Sequence, residues 1–256
     1  MDEQRVPPAL SADPTESLDL PKMPRRLPAG RHGLPREFVV RNQRERMLDG
    51  MARAVAEKGY NATSVADVLE RAGVSRKTFY EHFRDKEDCF LQTFDEVAAG
   101  LLYRVDKAFR GETDEEEGAE GEELPWEARI RRGLARFIEV LVREPDFARM
   151  CLVESVQAGP KALERYFAMV RRFADYVDQG RELGAPGVVP EFTALSVVTG
   201  VTGVIYMRLA TGEVEDLLDL LPEFTFFILT PYLGPDRARE QAEIAVQEFK
   251  LTAKKS

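Results

Sequence analysis

The side chains between residues 76 and 86 are of types that donate hydrogen bonds to nucleic acid. Arg76 and Lys77 could donate to O6 and N7 of guanine, whereas Thr78 and Tyr80 could bond a base edge or a phosphate. Lys86 could reach a phosphate, because the exposed N–H groups at the start of a helix there also favour an anion. These residues therefore predict a surface that contacts DNA, although a single sequence does not assign the bases.

Two phenylalanines are expected to hold these side chains in place. Phe79 and Phe83 lie four residues apart, so both rings fall on one face of a short helix predicted over residues 76–83, with Ser75 as its N-cap. Such a helix spans about 12 Å at 1.5 Å per residue, which is comparable to the width of the major groove. Its apolar face should pack against a first helix and leave the basic amino-terminal end exposed.

The preceding residues predict that first helix and a second, shorter one. From about residue 37 the apolar residues recur with helical spacing until Gly59, which supplies a left-handed end. Ser64 and Asp67 then form a capping box for a brief helix that ends at Gly73. A short helix, a tight turn and a second short helix with exposed basic residues have the layout of a helix-turn-helix.

Helical periodicity continues through the rest of the chain, and no segment has a convincing strand pattern. Asp85 is the predicted cap of a fourth helix that begins at Lys86 and ends near Gly111. The later predicted helices cover residues 126–142, 147–156, 161–176, 190–209 and 214–229, with one more after Pro235.

The charge of the chain is unevenly distributed. The formal net charge is −9, yet residues 1–35 are neutral, residues 36–90 carry +1 and residues 91–256 carry −10. Duplex DNA repels an acidic surface. Because the acid lies in the carboxy-terminal part, the amino-terminal end can still face phosphates while the rest of the molecule stays away from the duplex.

Two segments are predicted to lie outside the packed helices. Residues 1–35 hold seven of the fifteen prolines and almost no apolar periodicity, which indicates a flexible tail that is either an arm for the minor groove or merely solvated. The basic residues at its end and directly after it are Arg25, Arg26, Arg31 and Arg36. Residues 111–123 are nearly all Glu, Gly and Asp and predict an acidic linker or exposed loop.

Three runs of sequence strongly resemble the amino-terminal domain of TetR-family repressors. They are GYNATSV at residues 59–65, RAGVSRKTFYEHF at 71–83 and DKE at 85–87. The resemblance covers roughly residues 40–95, and the remaining helices agree with the family only in number, length and order. It implies an all-helical dimer whose carboxy-terminal domain binds a small molecule and thereby alters the spacing of two DNA-reading heads.

The resemblance also implies which residues contact DNA. The phosphate contacts would fall on Thr63, Tyr80, His82 and Lys86, and the base contacts on Arg76, Lys77 and Thr78. Two positions depart from the commonest pattern, since Cys89 stands where an aliphatic residue is frequent and Leu69 where a small one is frequent. Both lie off the expected DNA face, so they would affect only the packing between helices.

The predicted fold is all-α, with three parts. A flexible tail covers residues 1–35, a three-helix helix-turn-helix DNA-binding domain covers 36–90, and a helical ligand-binding and dimerisation domain covers 91–256. The helix at 190–209 is apolar nearly all round, and Gly200 and Gly203 would allow close helix approach. Burial within one subunit and a dimer seam would both explain this pattern. The resemblance favours a homodimer whose seam is shared with the helix at 214–229.

Six residues of the carboxy-terminal helices are candidates to line a small-molecule pocket, because they combine aromatic, flexible and a few polar groups. They are Met150, Glu154, Tyr166, Met169, Phe173 and Tyr206. Most core helices carry a similar mixture. It favours an apolar or aromatic effector over a charged one.

Residues for catalysis or metal binding do not converge in the sequence. His82 and His32 are the only histidines, so neither has the partners that a metal site or a general base needs. Cys89 and Cys151 could form a redox switch, but cysteine is commonly buried and nothing suggests a lowered pKa. No Gly-rich phosphate loop or nucleophile motif is present. We therefore expect no enzyme activity, no metal and no cofactor.

Two other hypotheses fit parts of this sequence. An all-helical small-molecule-binding protein or enzyme would use the first three helices only as structure and would lack sequence-specific DNA affinity. An activator, or a regulator that needs a co-repressor, would share the fold of a repressor released by its ligand. We expect a cytoplasmic protein, because the first residues do not form a secretion signal and the apolar run at 192–207 is shorter than the roughly 20 residues of a membrane span.

Overall fold

The computed structural model describes residues 36–112, 124–183 and 189–253, and within these ranges the chain forms helices and no strand, as the sequence predicts. The helices are α1 (Arg36–Lys58), α2 (Val65–Ala72), α3 (Arg76–His82), α4 (Lys86–Arg110), α5 (Trp126–Arg143), α6 (Pro145–Leu152), α7 (Pro160–Asp178), α8 (Thr193–Thr211), α9 (Leu221–Leu233) and α10 (Pro235–Ala253), with short 3₁₀ segments at Glu154–Val156, Gln179–Leu183 and Glu215–Leu220. The predicted proline-rich tail, with its arginines 25, 26 and 31, and most of the predicted acidic linker (residues 113–123) lie outside the described residues.

The predicted caps fix the geometry of the amino-terminal helices. The capping box of α2 is present, because the Ser64 N–H donates to Asp67 at 2.8 Å and the Asp67 N–H donates to the Ser64 hydroxyl at 3.3 Å. The Ser75 hydroxyl accepts from the Thr78 N–H at 3.1 Å and so begins α3. Between α2 and α3 the chain turns at Gly73, whose φ of +60° favours glycine. These local signals explain why α3 follows α2 through so short a turn.

The long helix α4 joins the amino-terminal helices to the rest of the molecule. Its early residues Phe90 and Phe94 are buried, as are Val105 and Phe109 near its end, and buried residues of both parts form one continuous core. The boundary predicted between residues 90 and 91 thus falls inside a helix. The last helix, α10, packs along α9 and is tied to α5, where Arg131 donates two hydrogen bonds of 3.1 Å to Glu248.

Two segments predicted as single helices, 147–156 and 214–229, are each divided into an α-helix and a 3₁₀ segment. The segment predicted as one helix at 214–229 is a 3₁₀ segment followed by α9, because Pro222 favours the first turn of a new helix over the middle of a longer one.

Helix α8 runs for 19 residues and is long and apolar enough to cross a membrane, although 39% of its most apolar stretch is buried among neighbouring helices. Core helices of globular proteins meet the same criterion, so this finding alone does not indicate a membrane protein.

Candidate nucleic-acid interface

Helix α3 has one buried face and one exposed end. Phe79 and Phe83 are buried with their ring centroids 5.4 Å apart, and they belong to the same core as Met47 and Met51 of α1. A short helix of seven residues is not stable by itself in water. The two phenylalanines therefore supply the burial that holds α3 against the amino-terminal core.

The amino-terminal end of α3 projects into solvent. Arg76 and Lys77 are exposed, and Tyr80 is 51% exposed. Arg76 has no ion-pair or hydrogen-bond partner in the part of the chain that the structure describes. The nearest carboxylate to Lys77 is that of Glu81, with 3.9 Å between the charged atoms, and a pair so exposed is weak in water. These donors are therefore available to another molecule.

Thr78 and Lys86 have internal contacts that a DNA contact would have to share. The Thr78 hydroxyl lies 2.9 Å from that of Ser75 and is half-buried. The Lys86 ammonium donates to the Tyr60 carbonyl at 2.9 Å and lies 4.2 Å from the centre of the Tyr60 ring, and burial lowers the pKa of Lys86. An ammonium has three N–H donors, so a phosphate could still bind beside the Tyr60 carbonyl.

Thr63 does not fit the predicted phosphate contact through its hydroxyl, and this expectation is corrected. The residue is buried, and its hydroxyl lies 2.8 Å from the carbonyl oxygen of Gly59 and 3.1 Å from that of Ala54. The Thr63 N–H also donates to the Gly59 carbonyl, at 3.2 Å, so both polar groups of this residue are directed at the end of α1. The hydroxyl of Thr63 therefore closes the turn between α1 and α2.

His82 is half-buried near the carboxyl end of α3. Burial and the positive charge of Arg44 lower the pKa of His82 below its usual 6.5. The imidazole is thus neutral at pH 7 in the free protein. A phosphate placed beside it would favour the charged form and raise its pKa again.

We expect DNA affinity to increase as the pH falls if His82 contacts a phosphate. The complex would then take up a proton at a pKa higher than that of the free protein, so affinity should rise by about tenfold between pH 7.5 and 6. Fluorescence anisotropy of labelled DNA at each pH measures this change. His82→Gln should flatten the profile. His32→Gln makes the same change at the only other histidine of the chain, so it is the matched control and should leave the profile unchanged. Equal profiles in the wild type and His82→Gln would exclude the contact.

The two positions that depart from the family pattern are packing residues. Cys89 is fully buried, and Leu69 is half-buried against the core. Burial raises the pKa of the thiols of Cys89 and Cys151, which opposes the thiolate form that oxidation requires. Among the described residues, no three His, Cys, Asp or Glu side chains form a group that could hold a metal ion.

An apolar cavity lies between α4, α5, α7, α8 and α9. Its empty volume is about 520 Å³, including the open solvent at its mouth. The lining residues are Val105, Phe109, Ile130, Gly133, Leu134, Phe137, Phe173, Tyr176, Val177, Val198, Val201, Thr202 and Ile228. Both hydroxyls in the lining have protein partners: that of Thr202 lies 3.0 Å from the Val198 carbonyl, and that of Tyr176 donates to Asp106 at 3.0 Å.

Of the six residues predicted to form a pocket, only Phe173 lines this cavity. Met150 and Met169 are buried elsewhere in the core, while Tyr166 and Tyr206 are half-buried outside the lining. Glu154 is buried next to the turn between α1 and α2, where it accepts a hydrogen bond from Tyr60. The sequence signal that was missed is the set of small and branched residues on the inner faces of α5 and α8.

Helices α8 and α9 leave an apolar surface exposed, which we call the α8–α9 stripe. It consists of Phe192, Leu195, Ser196, Thr199, Gly200, Gly203, Met207 and Ala210 of the α8 region and Phe227 of α9. Phe192 is 68% exposed and Met207 is 57% exposed. The apolar character of α8 is thus only partly explained by burial within one chain, since its outer face has no covering element among the described residues.

Comparison with known proteins connects both parts of the molecule to bacterial regulators. Residues 47–93 match the family described as bacterial regulatory proteins, tetR family. The HTH-type transcriptional regulator EthR of Mycolicibacterium smegmatis is 27% identical over 215 residues, which cover 80% of this chain and 89% of that protein. The HTH-type transcriptional repressor AcnR of Corynebacterium glutamicum is 41% identical over 60 residues, 23% of this chain and 32% of AcnR.

The fold itself resembles that of a solved regulator. The crystal structure of the transcriptional regulator FadR from Bacillus subtilis, in complex with stearoyl-CoA, aligns with a TM-score of 0.60 and covers 74% of this chain and 97% of that one. The two sequences are 16% identical over the alignment. This likeness therefore concerns the arrangement of helices in both the amino-terminal and the carboxy-terminal parts.

Proposed function

Because this chain belongs to the tetR family of bacterial regulatory proteins, we propose that it is a homodimeric, cytoplasmic repressor released from a palindromic operator by an apolar small molecule. The observation that carries the proposal is the exposed end of α3, where Arg76, Lys77 and Tyr80 project beyond a helix anchored by Phe79 and Phe83. Two such helices, related by a twofold axis, enter successive major grooves about 34–36 Å apart.

Residues of α3 divide into two roles in this proposal. Arg76 and Lys77 donate to base edges, with Thr78 beside them, because they lie on the first turn of the helix that enters the groove. Tyr80, His82 and Lys86 contact phosphates and so fix the position of the helix without reading sequence. Thr63 acts only through the turn that it closes.

The α8–α9 stripe is the proposed dimer interface. An exposed apolar surface with polar surroundings marks an interaction site. A twofold interface brings the same stripe of a second copy against it. Each exposed side chain of the stripe is then buried in both subunits of the dimer. Within one chain, Gly200 permits the close approach of α9 to α8, because a Cβ there would lie only 3.1 Å from the Phe227 ring.

The effector of this proposal is an uncharged, apolar molecule or an acyl chain. The cavity is lined almost wholly by apolar side chains, and its two hydroxyls are occupied by protein acceptors, so a charged group would be desolvated there without a partner. The FadR relative was crystallised with stearoyl-CoA, whose acyl chain has this apolar chemistry.

Filling the cavity should weaken binding of an apolar probe. A Cβ at Gly133 would lie 3.6 Å from Phe109, an ordinary contact, so the backbone tolerates a side chain that occupies the cavity. We expect Gly133→Leu to weaken binding of uncharged N-phenyl-1-naphthylamine by about tenfold or more, as fluorescence titration would measure. Glu164→Leu adds the same side chain on the exposed face of α7 and should have no effect. Equal probe affinity in both variants would remove this cavity as the effector site.

Selection of bound DNA from a random pool tests the proposed function. Enrichment of an inverted repeat with half-sites about one helical turn apart is expected, since it reports both sequence specificity and twofold symmetry. Affinity for the enriched sequence should fall steeply as salt rises. A pool that shows no enriched sequence after repeated rounds would leave an all-helical ligand-binding protein as the better interpretation.

A further inference from the structure

Tyr60, in the turn between α1 and α2, is held from two sides. Its N–H donates to the Glu154 carboxylate at 2.9 Å, and its carbonyl accepts from the Lys86 ammonium at 2.9 Å. Its ring packs edge-on against Phe90, with 4.9 Å between the ring centres. One residue thus connects a proposed phosphate contact, Lys86, with a carboxylate that belongs to the carboxy-terminal helices.

Glu154 is in turn connected to the end of α8. Its carboxylate lies 3.5 Å from the guanidinium of Arg149, and that guanidinium donates to the Leu209 carbonyl at 2.8 Å. Leu209 lies in the last turn of α8, the helix that lines the cavity and carries most of the α8–α9 stripe. The polar contacts therefore run without a gap from Lys86 through Tyr60, Glu154 and Arg149 to α8.

The burial of Glu154 distinguishes this connection from other ion pairs at the same border. Glu154 is only 2% exposed, whereas the pair between Lys161 and Glu87 lies at the surface, where water and salt weaken it. A buried carboxylate is stable only while its partners stay in hydrogen-bonding positions. Movement at the end of α8 must therefore either shift the Tyr60 turn with it or break one of these part-buried contacts.

We propose that Glu154 and Arg149 are positioning residues that couple the orientation of the DNA-reading helices to the position of α8. This inference rests on the DNA binding proposed above, since the position of α8 is coupled to the orientation that the DNA-reading helices take when they bind DNA. Coupling between two sites is reciprocal, so DNA binding must also change α8. The coupling can therefore be measured with DNA as the only ligand.

Hydrogen exchange at the end of α8, with and without saturating DNA from the selection experiment, tests the inference. In the wild type we expect DNA to slow exchange of the amides between residues 205 and 213 by about twofold or more. Arg149→Met and Glu154→Gln should abolish this response while still binding DNA at saturating concentrations. Glu213→Gln, which breaks the exposed pair with Arg208 at the same helix end, is the matched control and should retain it.

The two possible failures of this experiment are distinct. If the wild type does not bind DNA, the proposed function fails before the coupling is tested. If the wild type binds and α8 shows no response, or if the response persists in both Arg149→Met and Glu154→Gln, the proposed coupling fails while the DNA binding stands. A residue with a merely structural role would change exchange equally with and without DNA, so only loss of the difference supports the inference.

Discussion

Replacing Arg76 and Tyr80 together by alanine is expected to weaken binding to the selected inverted repeat by about a thousandfold. Each dimer would lose two contacts at each of its two heads, and four contacts at about 1 kcal/mol each give about 4 kcal/mol. Both side chains are exposed, so their removal leaves the buried phenylalanines of α3 in place. Anisotropy titration with the selected DNA measures the loss, and thermal unfolding should be unchanged.

A matched double substitution separates this effect from a general change in surface charge. Arg171→Ala with Phe167→Ala removes one cation and one exposed aromatic ring from α7, away from the proposed interface. We expect its affinity to remain within about twofold of the wild type, because long-range charge effects are screened. If the α3 variant also kept an affinity within about twofold of the wild type, the assignment of α3 as the recognition helix would be contradicted.

The sequence predicted helix α3 well because its determinants are local. The spacing of Phe79 and Phe83, the cap at Ser75 and the turn at Gly73 act within a few residues, and each is present in the structure. These features expose the amino-terminal end of α3, which is the end that the basic and polar residue types predicted to be exposed. Local signals of this kind do not depend on how distant helices pack.

Contacts made across the turn between α1 and α2 could not be predicted in the same way. The hydroxyl of Thr63 is directed at the carbonyls of Gly59 and Ala54, and Lys86 contacts the carbonyl of Tyr60. In each case a backbone carbonyl in or beside this turn accepts the hydrogen bond from the side chain. Which side chain reaches that acceptor depends on the three-dimensional course of the turn.

The cavity was the least predictable feature. Its lining depends on the rotation of α4, α5, α7, α8 and α9 about their own axes, and periodicity reports only that each helix has an apolar face. Phe173, which was proposed for its residue type, is the one candidate that lines the cavity. Glu154 was predicted to line the pocket, but its carboxylate is directed at the Tyr60 turn rather than at the cavity.

Gly203→Glu is expected to convert the proposed dimer to monomers and thereby to abolish tight operator binding. A Cβ at Gly203 would meet no atom within 4 Å in a single chain, so the folded monomer accommodates the new side chain. Replacing glycine in a helix interior should even favour the helix by up to about 1 kcal/mol. In the twofold dimer, however, the substitution places two carboxylates in an apolar seam, and burying such charges without partners costs several kcal/mol.

Sedimentation and thermal unfolding together decide whether the effect lies in the seam. We expect the dimer dissociation constant to rise by about a thousandfold, which corresponds to about 4 kcal/mol, while the protein stays folded. Phe167→Glu places the same charge on exposed apolar surface of α7 and should remain dimeric. Because a monomer carries only one recognition helix, Gly203→Glu should bind a half-site and the full inverted repeat with similar affinity. A Gly203→Glu protein that stays dimeric would instead place the twofold contact outside the α8–α9 stripe, and the spacing of the two heads would then have to be set by another surface.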